Sequence, residues 1–426
     1  MTTCTEAEPL PGLACAAAIG LRTAASPPWQ LPLRYAFPLL ATVLFAFFFA
    51  AAAPSPLFVV FQHAWGFSAS MLTVAFAIYA LALMASLLVA GSLSDHVGRR
   101  PVVLAALVLQ AVAMGLFVTA RGVGGLLVAR VVQGVAMGVA SGALSAAVVE
   151  AAPEAKKRLG ALISSVSPLA GLAVGALATG IAVKLSVDPV FWVFSVLVVV
   201  FAVGAVAVLC MPETATRRPG AWRSLMPRMS IPPRARGEFM RGLPVFVTIW
   251  ALGGLYLALA PSIVQRVFGV DSGVVNGLTI AVMAGVGAAA PSLLGRFVPL
   301  QTVLIGMTSI VIGLVLLLAS LGSKSLPIFF VGTAIAGVGF GAAFSAMIQR
   351  LAPLAAVHER AELFAGIFVV CYLAMSVPAM AAGLLVAPFG LLAVVEGYAA
   401  ALLLLGAIGA LLQWSAFRRD AVPALR

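Results

Sequence analysis

Of the 426 residues, 63% are hydrophobic and 9% are charged, with a mean hydropathy of +1.16. A soluble domain carries about 25% charged residues, so this chain cannot clothe itself in a polar surface, and a water-soluble globular protein is excluded. The formal charge of +12 needs no nucleic-acid partner; it is expected to face the anionic leaflet of a bilayer.

Residues 1–34, with Cys4, Glu6, Pro9, Pro11, Pro27 and Pro28, read as a mobile cytoplasmic tail. Apolar runs long enough to cross a bilayer, about 20 residues each, then follow at 37–60, 71–93, 101–120, 124–149, 159–183, 190–210, 243–264, 274–294, 302–321, 326–348, 362–387 and 390–415. The first begins too deep in the chain to be a cleavable signal. With an even number of spans both termini share a side. If that side is cytoplasmic, 20 of the 25 Lys and Arg lie inside, among them Arg99, Arg100, Lys156, Lys157, Arg158 and seven Arg between 212 and 242. Only Arg121, Lys184, Arg266 and Lys324 fall outside, and Arg130 lies within a span. The positive-inside rule places both termini in the cytoplasm on this count. Cys4, Cys15, Cys210 and Cys371 show no metal-ligand spacing and none falls in an outer loop, so neither metal nor disulfide is expected.

The chain divides once, at the Arg- and Pro-rich stretch 212–242. Around it the two sets of six spans echo each other. Pro54-Ser55 and Pro261-Ser262 are 207 positions apart, Ala152-Pro153 and Ala352-Pro353 are 200 apart, and Pro168 and Pro378 are 210 apart. The expected fold is an all-α membrane protein of 12 transmembrane helices in two pseudo-symmetric six-helix bundles. Its parts are a tail (1–34), a first bundle (35–211), a basic cytoplasmic linker (212–242), a second bundle (243–416) and a C-terminal tail (417–426).

Between the second and third spans stands Gly91-Ser92-Leu93-Ser94-Asp95-His96-Val97-Gly98-Arg99-Arg100, a charged turn wedged between apolar runs. Span four carries Leu127-Val128-Ala129-Arg130-Val131-Val132-Gln133-Gly134, then Gly138 and Gly142. Pro212-Glu213-Thr214 closes span six, and span five holds Ser167-Pro168-Leu169-Ala170-Gly171. These motifs resemble those of the major facilitator superfamily over the whole chain, and Pro54-Ser55-Pro56 resembles the proline pattern of its twelve-span drug:proton antiporters. His96 departs from the family's usual Arg or Lys, and Ser167 replaces a Gly. The second copy of the loop, Leu294-Gly295-Arg296-Phe297, lacks the acid. The resemblance implies that Gly91, Asp95, Gly98, Arg99 and Arg100 form an inner gate with an acid at the end of span four, Glu150, holding the outward-facing state shut on the inside.

Glycines four apart (Gly134, Gly138 and Gly142; Gly337 and Gly341) let helices approach closely, for static packing or for sliding. Arg130 is the one cation inside a span. A charge at that depth costs roughly 2.5–3.5 kcal/mol, so it either serves transport or snorkels to the outer interface. Gln133 follows nearly one turn later. Glu396 is the one acid well inside an apolar span, a candidate proton carrier or an interfacial acid. Gln62 and His63 end span one, where the histidine either titrates or simply faces outer solution. The resemblance assigns the central cavity to spans one, four, seven and ten. Their aromatic residues Phe48, Trp250, Tyr256, Phe340 and Phe344, with a shortage of Asn and Gln, suit apolar or amphiphilic solutes better than sugars.

The function expected is proton-coupled export of small apolar compounds across a bacterial-type inner membrane. The partners expected are the solute, protons and membrane lipids, with no cofactor and no metal, in a monomer. The alternatives are transport of a metabolite such as an organic acid neutralised by Arg130, or a transport-dead sensor. Three scattered His, no phosphate-cradling loop after a strand and no acid–His pair on one helix speak against an enzyme.

Overall fold

In hydrocarbon every backbone N–H and C=O must find its partner within the protein, and a helix does this span by span. A computed structural model describes residues 33–213, 219, 222, 225, 226, 229–356 and 359–421. Residues 1–32, the four linker cations Arg217, Arg218, Arg223 and Arg228, and residues 422–426 lie outside the described residues. Every regular element among the described residues is helical. Among the described residues twelve helices are long and apolar enough to cross a membrane: spans 1 to 12 are Tyr35–Trp65, Ser70–Val97, Arg99–Thr119, Val123–Ala151, Glu154–Leu185, Pro189–Leu209, Pro233–Arg266, Gly273–Leu293, Pro299–Ser323, Leu326–Leu354, Arg360–Phe389 and Leu391–Arg418.

Local chemistry sets the breaks. Span 1 is interrupted at Ala53, where Pro54 begins a second helical piece, and it stops at Gly66 in the left-handed region (φ 65°). Pro189 and Pro299 start spans 6 and 9 at the first helical turn, where a missing N–H costs nothing. Asp188 accepts from the Phe191 N–H at 3.0 Å to cap span 6. The helix of span 7 already begins at Pro233, so its first turns carry Arg234, Arg236, Glu238 and Arg241 ahead of the apolar run.

The two halves are built alike. Span 4 packs on spans 2 and 3, span 1 on span 5 and span 3 on span 6; six positions on, span 10 packs on spans 8 and 9, span 7 on span 11 and span 9 on span 12. The halves meet along two seams, span 5 against span 8 and span 2 against span 11, which the repeat exchanges with each other. Small residues allow the approach. Gly134 and Gly138 lie under the carbonyls of Tyr79 and Leu83, and Gly337 and Gly341 under those of Met283 and Gly287.

The close contacts between halves gather at one end. Gly180 abuts Gly273, Gly277 abuts Ala176, and Gly383 abuts Thr73. Ser55 Oγ donates to Leu257 O over 3.3 Å, and Gln265 Nε2 stands 3.3 Å from His63 Nε2. All of these positions lie toward the His63 end of their helices, away from the end that carries Gly91–Arg100.

Candidate functional site

Arg130 sits about two turns inside span 4 and is only 2% exposed. Its Nε donates to Ala75 O of span 2 at 3.0 Å, and Nη1 donates to Gln133 Oε1 at 2.7 Å. The guanidinium lies 4.2 Å from the Tyr79 ring centroid and 5.7 Å from that of Phe58. Gln133, fully buried, donates through Nε2 to Ala50 O of span 1 at 2.8 Å. That carbonyl is the one Pro54 deprives of a helical partner, because proline has no N–H to return to residue 50. One Arg–Gln pair therefore ties span 4 to spans 1 and 2 and mends the kink in span 1. Among the described residues no carboxylate forms an ion pair with Arg130. Hydrogen bonds from a charged donor contribute about 1.5–3 kcal/mol each, and a desolvated cation over a ring about 2 kcal/mol; these offset burial of the charge.

In the second half, four aromatic rings converge. Trp250 of span 7 lies 4.9 Å from Tyr372 and 6.3 Å from Phe368 of span 11, and 5.6 Å from Phe344 of span 10, centroid to centroid. Trp250, Phe344 and Phe368 stay half-buried. Phe340 is half-buried over Gly253, and Phe48 is half-buried with its Cβ against Gly171 of span 5. Tyr256 does not join this cluster: it is 2% exposed, with its hydroxyl 2.9 Å from Thr333 Oγ1 and its ring beside Phe329.

At the Gly91 end, Gly91 closes the first helical piece of span 2 with its N–H on Leu87 O, and a short helix, Leu93–Val97, follows. Arg99 Nη1 reaches Asp95 Oδ1 and Ser94 Oγ at 2.5 Å each, and Nε and Nη2 fork onto Glu150 Oε2 and Oε1 at 3.3 and 3.0 Å. Glu213 accepts from the Arg99 N–H at 2.8 Å and the Arg100 N–H at 3.2 Å, an anionic cap on the first turn of span 3. Gly98 permits this: its φ is 110°, and a Cβ there would stand 2.5 Å from Glu213 Oε2. Arg100 Nη2 donates to Leu209 O at the end of span 6. His96 Nδ1 lies 3.1 Å from Ser92 O, within its own turn. These bonds run among spans 2, 3, 4 and 6 and Glu213 just past span 6, and they tie the ends of those four spans together.

The remaining candidates stand apart. Glu396, half-buried on span 12, forms no ion pair with Arg130. Gln62 Nε2 donates to Phe67 O at 3.1 Å and shapes the turn after span 1. His63 is exposed, and its Nε2 stands 3.3 Å from Gln265 Nε2 of the second half.

The model of the Major Facilitator Superfamily matches residues 40–378 of this chain. The chain belongs to that superfamily. Within it, the multidrug resistance protein MdtL of Shewanella oneidensis is 27% identical over 323 residues, covering 72% of this chain and 78% of the relative. MdtL of Klebsiella pneumoniae is 25% identical over 320 residues with the same coverage. Among solved structures, the human organic anion transporter MFSD10 (TETRAN) superposes with a TM-score of 0.64 at 17% identity, over 89% of this chain and 100% of that one. A POT family transporter gives 0.70 at 13% identity, over 87% and 94%. These likenesses establish the major facilitator fold: an integral, multi-pass membrane transporter.

Sequence reasoning passed over several residues of the site. Glu213 was visible as part of Pro212-Glu213-Thr214, but its cap on span 3 joins positions more than a hundred residues apart. Tyr79 and Phe58 are two aromatics in apolar runs, marked by nothing until Arg130 is placed between them. Phe368 and Tyr372 lie on span 11, which the cavity assignment left out.

Proposed function

We propose that the protein is a secondary transporter that exports small apolar or amphiphilic compounds across a bacterial-type inner membrane, by alternating access, in exchange for protons. The observation that carries the solute class is the half-buried cluster of Trp250, Phe344 and Phe368 with Tyr372, a surface made mostly of ring carbon whose side-chain polar atoms are the Trp250 indole N–H and the Tyr372 hydroxyl. The names of its MdtL relatives agree with this class. The bias of Lys and Arg puts both termini and the Gly91 end in the cytoplasm. The sealed His63 end then faces outward, and this conformation is the inward-facing one. In the alternate state the inner end closes, and the body made by Asp95, Arg99, Glu150 and Glu213 presents a rigid face to the second half. Arg130 and Glu396 are the groups proposed for coupling, Glu396 as proton carrier. A monomer of two six-helix bundles suffices for this cycle, joined by the basic stretch 212–242, whose residues from Pro233 onward already belong to the helix of span 7.

One observation favours a second reading. Among the described residues no carboxylate pairs with Arg130, so an organic acid could supply the counter-charge. Equilibrium binding to purified protein separates the two. The lipophilic cation tetraphenylphosphonium is expected to bind, and Trp250→Ala to weaken it about 2- to 12-fold, the value of one aromatic contact. Binding unchanged in both Trp250→Ala and Phe368→Ala contradicts the aromatic site. Tight binding of a dicarboxylate, lost in Arg130→Met, selects the second reading.

A further inference from the structure

A proline inside a helix leaves the carbonyl four residues earlier without its N–H donor. Pro54 does this to Ala50 and Pro261 does it to Leu257, at matching places in the two halves. The first carbonyl is satisfied inside its own half, by Gln133. The second is satisfied from the other half: Ser55, 3% exposed, donates through Oγ to Leu257 O over 3.3 Å.

The repeat explains the difference. Gly134 and Gly138 under Tyr79 and Leu83 correspond to Gly337 and Gly341 under Met283 and Gly287. Counting back from these glycines puts Thr333 where Arg130 stands and Ala336 where Gln133 stands. Thr333 is taken up by Tyr256 and by its own helix at Phe329 O, over 2.9 and 2.7 Å. Ala336 has no polar atom to offer. At the position of Gln133 the second half therefore has no amide for its kink, and it is Ser55 that donates to Leu257 O.

This dependence has a direction. Gln133 and Ala50 travel together, so their bond survives any rocking of the halves. Ser55 and Leu257 belong to different halves and stay bonded only while the His63 end is closed. Beside them Ala52, Ala176 and Ile280 from both halves bury one another, with Leu257 packed on them. We propose that Ser55 is a positioning residue of the gate at the His63 end: it holds that end shut by completing the Pro261 kink, and opening uncovers Leu257 O as an acceptor for water or for a donor on the solute. This inference rests on the alternating-access reading above.

The test uses the full chain with its four native cysteines replaced and Ala52→Cys as reporter, labelled in proteoliposomes by a membrane-impermeant maleimide. Ser55→Ala is expected to raise the labelling rate about fivefold, the equivalent of one hydrogen bond, while Ser55→Thr, which keeps a donor, labels at the parent rate. Pro261→Ala restores a helical N–H to Leu257 O, so Ser55→Ala on that background should change nothing. An unchanged rate in Ser55→Ala, or an equal rise with and without Pro261→Ala, overturns the latch. No labelling in any variant, with or without solute, would overturn alternating access itself and the latch with it.

Discussion

Arg130→Met is expected to abolish transport with the fold intact, whereas Gln133→Leu is expected to cost stability. The two residues share a hydrogen bond of 2.7 Å but stand differently in the energetics. Arg130 is a buried charge that pairs with no acid among the described residues. Removing it releases a desolvation penalty of several kcal/mol and leaves Gln133 Oε1 unpaired at about 1–3 kcal/mol; the terms oppose, and the net change stays within about 2 kcal/mol. Gln133→Leu leaves two groups without partners, Ala50 O at the Pro54 kink and Arg130 Nη1. Both penalties have the same sign, so the loss is about 2–6 kcal/mol. Thermal unfolding in detergent, read beside solute flux in proteoliposomes, checks the contrast. Transport surviving in Arg130→Met, or that variant melting below Gln133→Leu, contradicts it. Arg130→Lys should behave as Arg130→Met in flux, because an ammonium lacks the planar fork that serves Ala75 O through Nε and Gln133 through Nη1 while stacking on Tyr79.

Gly277→Leu should stop transport by preventing closure at the His63 end. A Cβ at Gly277 would run into the Ala176 carbonyl, and one at Gly383 into Thr73 Oγ1 on the seam related to it by the repeat. Backbone meets backbone at the first seam, so no side chain can swing aside, and the two helices must part. Gly383→Leu is the independent check, since it acts on a different pair of helices with the same outcome. Both variants should leave the His63 end permanently reactive to an impermeant thiol reagent at Ala52→Cys, with flux at background. Normal flux in both would mean that the seam does not close during the cycle.

Much of this was legible from residue order. Twelve apolar runs gave twelve helices, because hydrocarbon permits no other economical answer for such segments. The paired prolines and glycines announced two similar halves, and Gly91–Arg100 announced a turn. Hydropathy missed polar helix: span 7 starts at Pro233 rather than near 243, because Arg234, Arg236 and Arg241 are exposed and Glu238 pairs with Arg350 of span 10 at 2.6 Å as these residues wind onto an apolar helix. It also missed every partnership between distant positions. That Arg130 would lie over Tyr79, that Glu213 would cap span 3, and that Ser55 would mend a kink in the opposite half all depend on which helix faces which. Periodicity is silent on that when helices are apolar on all sides. Pro54 and Pro261 were read as markers of a repeat; their free carbonyls, which decide what Gln133 and Ser55 do, required the packed structure.

Proton-driven movement of an apolar solute is the proposed function, and flux of a lipophilic cation dye in proteoliposomes under an imposed pH gradient measures it directly. Dye should move against its own gradient when protons flow the opposite way, reverse when the pH gradient is reversed, and fall to simple downhill leakage in Glu396→Gln. Dye flux of the same size and direction with the gradient present, reversed or absent would contradict the proposal.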